Sequence, residues 1–83
     1  MNEENKDQGL TFGDKAVGAS FNPSGNLAVN ELKAYYAAII DFLHDQPGTD
    51  DEMRKRLYDM ALEDAIRAQM SAVKYITWDL PRE

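Results

Sequence analysis

Between Asn26 and His44 the apolar residues Val29, Leu32, Tyr36, Ile39 and Leu43 recur at alternating steps of three and four, the period of one buried stripe on an α-helix. Ala34, Ala37, Ala38 and Ile40 flank this stripe, and small residues of this kind let helix backbones approach closely. Gln46-Pro47-Gly48 stops the run, because proline disfavours the helical region for the residue before it and glycine accepts the left-handed conformation. Thr49-Asp50-Asp51-Glu52 then reads as a capping box, with Thr49 as N-cap and Glu52 reaching back to its amide. The two aspartates suit the positive end of a helix dipole. A second helix is therefore expected from about Asp50, with no glycine or proline to interrupt it before Pro81. It carries two apolar tracks: Leu57, Ala61, Ala65, Ala68 and Ala72 on one, and Leu62, Ile66, Met70 or Gln69, Val73 and Ile76 on the next.

This pattern predicts an all-α fold, an antiparallel two-helix hairpin over residues 21–80 behind an irregular arm at residues 1–20. In the arm, Gly9, Gly13 and Gly18 break any helical period, so loop or disorder is expected there, with Leu10, Phe12, Val17 and Phe21 as anchors to the rest. One partner helix covers about one apolar track, and the second helix has two. The leftover apolar surface predicts a homo-oligomer, with binding clefts between copies.

Composition narrows the chemistry. A chain of 83 residues is one domain at most, and one this short buries only about 60% of its unfolded surface, which again favours association. With no cysteine, disulfides and thiolate metal sites are excluded, and a single histidine gives no imidazole cluster. An intracellular protein is expected. No apolar run approaches the roughly 20 residues that span a bilayer, and the opening MNEENKDQ is acidic where a signal peptide is basic and then apolar. The net charge of −6 argues against binding long nucleic acid, which needs a basic face, but permits a small anion at one basic spot.

Carboxylates are plentiful, among them Asp41, Asp45, Asp50, Asp51, Glu63 and Asp64, and such groups make acid–base pairs. Most fall on solvated faces or caps, with no nucleophile flanked by a base and no P-loop, so no catalytic site and no cofactor are expected. His44 with Asp41 and Asp45 could bind a metal weakly; a histidine in a last helical turn more often serves the helix dipole. The stretch SFNPSGNLAVNELK is better placed. Asn22, Pro23, Ser24, Gly25 and Asn26 form a turn at a helix mouth, offering amides, a hydroxyl and side-chain carboxamides to an anion, with the Lys33 charge along the same helix. Phe21 adds a flat apolar surface for a base or ribose. Its plain alternative is an N-cap, a turn proline and a solvated lysine.

The pattern VGASFNPSGN with Val29 and Leu32-Lys33, followed by AIRAQMSAVKYITW at residues 65–78, resembles the hairpin domain shared by phage anti-CBASS and anti-Thoeris nucleotide sponges. The likeness runs from about Gly18 to Trp78. It implies a compact oligomer, commonly a hexamer, that sequesters cyclic nucleotide immune signals between protomers without hydrolysing them, in the host cytoplasm during infection. The ligand expected is a cyclic di- or trinucleotide or a cyclic ADP-ribose derivative. Lys33 stands where relatives carry a ligand-binding basic residue, and Lys74 matches another basic position. The tyrosine that some relatives stack on a base has no clear counterpart, Phe21 being nearest. The full expected ligand set is Phe21, Asn22, Ser24, Gly25, Asn26, Lys33, Tyr36, Arg67 and Lys74, in a binding protein with no metal, membrane or long nucleic acid among its partners. A nucleotide-degrading enzyme and a structural interaction module are the alternatives.

Overall fold

The computed structural model describes residues 9–79, and their regular structure consists of three helices and no strand. These are α1 (Phe12–Val17), α2 (Leu27–His44) and α3 (Glu52–Thr77). The remainder of the predicted arm, residues 1–8, lies outside the described residues.

Helix α1 corrects the expectation of loop through residues 12–17. Thr11 caps it, accepting from the Asp14 amide at 3.0 Å while the Asp14 carboxylate accepts from the Thr11 amide at 3.0 Å, a reciprocal capping box. Gly18, at φ +65°, closes the other end: its amide and that of Ala19 donate to the carbonyls of Lys15 and Asp14. Gly13 does not break the helix, because its value lies in what it lacks. It is buried against α2, and a β-carbon added to it would stand 2.1 Å from the Ala37 carbonyl oxygen. The Gly13 amide, an unpaired first-turn donor, is satisfied across the contact by the Asp41 carboxylate at 2.6 Å.

Helix α2 starts where the pattern placed it, with the Asn26 side chain accepting from the Ala28 amide at 2.8 Å. Its buried face is turned by about one residue from the expected stripe. Val29, Lys33, Ala37 and Ile40 are buried, Leu32, Tyr36 and Leu43 are half-buried, and Ile39 is half exposed. The cause is α1, whose Gly13 packs directly on the Ala37 backbone and so brings that side of α2 inward.

At the start of α3 the cap is Asp51, which accepts from the amides of Met53 and Arg54 at 2.9 and 3.2 Å. Thr49 is displaced from the expected capping role. Its hydroxyl instead accepts from the Asp51 amide at 3.0 Å, so the helix begins at Glu52. It ends at Thr77, before Pro81 is reached. Ala37 and Ile40 of α2 pack with Leu62, Ala65 and Ile66 of α3, while His44 bonds Tyr58, so α3 packs against α2.

The core is small. Val17, Val29, Ala37 and Ile40 are its buried apolar residues among those described, while Phe42, Met53, Leu57, Met60, Met70, Tyr75 and Trp78 are each about half exposed or more. Both tracks of α3 turn toward the other helices and are partly covered, Leu57, Ala68 and Met70 excepted. Among the described residues no helix is long and apolar enough to cross a membrane.

Candidate anion site at the turn before helix α2

The turn at residues 22–26 is built by its own side chains. Pro23 fixes the entry, the Gly25 amide donates to the Asn22 carbonyl at 3.1 Å, and Gly25 takes φ +69° with open space around it. The Asn22 carboxamide donates to the Asn26 carbonyl and to Asn30 Oδ1, both at 2.9 Å. Ser24 donates its hydroxyl to Asn22 Oδ1 at 2.7 Å and accepts from the Asn26 amide at 3.1 Å. Short polar side chains reach their own backbone before anything else. The groups expected to point at an anion therefore spend themselves holding the loop, and they present a rigid rim rather than a set of free donors.

Lys33 differs from both readings of it. It is neither solvated nor extended toward open solvent: only 6% of it is exposed. Its ammonium donates to the Gly18 carbonyl at 2.9 Å and to the Phe21 carbonyl at 2.5 Å, and stands 5.7 Å from the centre of the Phe21 ring. Gly18 is the residue that ends α1, so the cation also meets the negative end of that short helix. No carboxylate among the described residues pairs with this ammonium, although acids outnumber bases in the chain. Above it the Phe21 ring is 69% exposed.

The structure thus brings Phe21, Asn22, Ser24, Gly25, Asn26 and Lys33 into one locality, with Tyr36 one turn along the same helix, while Arg67 and Lys74 are carried by α3. Tyr36 packs on the core. Arg67 and Lys74 lie on the exposed side of α3, Arg67 3.5 Å from Asp64. Tyr35, next to Tyr36, is exposed and donates its hydroxyl to Glu31 at 2.8 Å; that bond and the carboxylate's charge push its pKa up, so the phenol stays protonated.

A second cluster escaped the sequence pattern. His44 stacks on Phe12 with ring centres 3.9 Å apart and planes within 10°, and its Nδ1 lies 2.9 Å from the Tyr58 hydroxyl. It joins all three helices. With Asp41 engaged by Gly13, His44 and Asp41 are both committed to packing contacts, and no group of three histidines or carboxylates among the described residues is placed to hold a metal. His44 and Tyr58 also line a cleft of about 600 Å³ at the α2–α3 connection, together with Leu43, Pro47, Leu57, Arg54 and Lys55 among others. No local spacing signals this cluster, because Phe12, His44 and Tyr58 come from three different helices.

No family model, curated protein or solved structure matches the chain.

Proposed function

We propose that this protein is a phage anti-defence protein that binds and sequesters cyclic nucleotide immune signals as a homo-oligomer of helical hairpins, without cleaving them. The observation that carries the reading is the Lys33 ammonium, buried beneath an exposed aromatic ring with carbonyls as its partners and no carboxylate among the described residues beside it. A buried charge left without a counter-ion is costly, and an arriving phosphate relieves that cost. Two of the three ammonium donors are engaged, which leaves one for a phosphate oxygen. Phe21 offers a stacking face to the base attached to that phosphate. The Asn22–Asn26 turn is already ordered, so little further entropy is lost when ligand arrives.

The resemblance of VGASFNPSGN with Leu32-Lys33 to the anti-CBASS and anti-Thoeris sponges supports this reading at Phe21, the turn and Lys33. Sequestration needs affinity and stoichiometry, not a general base, a nucleophile or a metal. The shortage of buried apolar residues against the large exposed ones supports self-association, with ligand clefts completed between copies of the chain. Calorimetric titration with a panel of cyclic dinucleotides, cyclic trinucleotides and glycocyclic ADP-ribose tests the reading. Saturable binding of one of them at micromolar concentration or below supports it, and no heat with any of them rejects it.

A further inference from the structure

The side of α3 that faces away from α1 and α2 has a period of its own. Met53, Leu57 and Met60 begin it, each 49–57% exposed, Leu57 standing at its border where it also lines the α2–α3 cleft, and Trp78, 64% exposed, ends it. Between them the same alternation of four and three passes through Asp64, Arg67, Ser71 and Lys74, all exposed. From Met53 to Trp78 this outward seam is about 38 Å long, apolar at its two ends and polar or charged through the four positions between them.

We infer that this seam is the contact between two copies of the chain, with α3 of one lying antiparallel on α3 of the other across a two-fold axis near its midpoint. The order of residues fixes the register. When the row is laid on itself in reverse, Asp64 falls opposite Arg67 of the second copy, and the two-fold repeats that pair. Met60 then meets Ser71, a large residue against a small one. Leu57 meets the alkyl stem of Lys74, whose ammonium reaches solvent. Met53 meets the Trp78 ring, a favourable sulfur–aromatic combination. No layer of this register sets like charges against each other. The parallel, in-register alternative places Asp64 on Asp64, Arg67 on Arg67 and Lys74 on Lys74, three repulsive layers, so charge selects the antiparallel arrangement. At present Asp64 and Arg67 pair within one helix at 3.5 Å, with both side chains 71% exposed. Across the axis the two pairs would merge into a ring of four alternating charges. Arg67 and Lys74 then act in assembly rather than in holding ligand.

This inference bears on the self-association part of the proposed function and not on the ligand. The chain has no cysteine, so single ones report cleanly. Met60→Cys and Ser71→Cys chains are mixed, oxidised and compared with each alone. A cross-linked heterodimer from the mixture, with little product from either chain by itself, is expected; homodimers of Ser71→Cys as the main product, or no cross-link in any sample, overturn the register. In parallel, sedimentation of Asp64→Arg and Arg67→Asp should show association weakened tenfold or more, and the double exchange Asp64→Arg with Arg67→Asp should recover to within about threefold of the native chain. A double exchange as weak as the worse single variant overturns the seam, as does a native chain that is monomeric at micromolar concentration. Cyclic nucleotide binding retained alongside a failed cross-link rejects this face alone and leaves the ligand reading standing.

Discussion

Lys33 donates its ammonium to the Gly18 carbonyl at 2.9 Å, so a side chain two turns into α2 fastens the end of α1. The same ammonium holds the Phe21 carbonyl. One residue therefore orders the connection between the two helices and positions the ring beside the proposed ligand. Lys33→Met keeps most of the stem and removes the donors, leaving two carbonyls without their partner in a part-buried place. A loss of about 1–3 kcal/mol in unfolding free energy is expected by denaturant titration. Unchanged or increased stability would mean that burying the charge costs as much as its hydrogen bonds return, and the fastening role would fall.

Phe21 separates fold from function. Its ring is 69% exposed, so Phe21→Ala should change stability by no more than about 0.5 kcal/mol. Loss of one stacking face on a base is worth about 1–3 kcal/mol, which is a weakening of roughly 5- to 150-fold in cyclic nucleotide affinity by calorimetry. Equal affinity in the variant would place the base elsewhere.

The contact between α1 and α2 rests on an absent side chain. Gly13→Ala drives a β-carbon against the Ala37 carbonyl, backbone on backbone, where no rotamer can yield. The expected cost is about 1–3 kcal/mol, an overpacking value. At about 4–8 °C per kcal/mol for a chain of this size, thermal unfolding shows it as a clear fall in Tm. An unshifted midpoint would mean that α1 is free to move off α2.

Capping at α3 gives a finer comparison. Asp51→Ala removes the acceptor of two first-turn amides and should cost about 0.5–2 kcal/mol, whereas Thr49→Ala, which supports only the Asp51 amide, should cost less. The reverse order would restore Thr49 as the cap.

These variants also show what the sequence could and could not reveal. The two long helices were legible from apolar period and stop signals, because both act locally: Asn26 and the Pro47-Gly48 break stand where the pattern put the helix limits. Helix α1 was not legible, since Gly13 reads as a breaker until its partner Ala37 is known, and that contact joins residues far apart in the chain. The same missing neighbour explains the one-residue rotation of the α2 face and the buried state of Lys33. A lysine among alanines and tyrosines reads as solvated, and only the carbonyls of Gly18 and Phe21 give it a reason to turn inward. In the candidate site the turn and the Asn26 cap of the plain alternative were legible, whereas the network that engages the donors of Asn22 and Ser24 with Asn26, Asn30 and Asn22 itself was not.

Sequestration without cleavage is tested most directly by recovering the ligand. The protein is incubated with the cyclic nucleotide that titrates best, freed of unbound ligand by gel filtration, denatured by heat, and the released small molecule is identified by mass and chromatography. Intact nucleotide in a fixed ratio to protein is the expected result. A linearised or otherwise altered product would make the protein an enzyme, and protein that carries no nucleotide through the column would contradict the sponge outright.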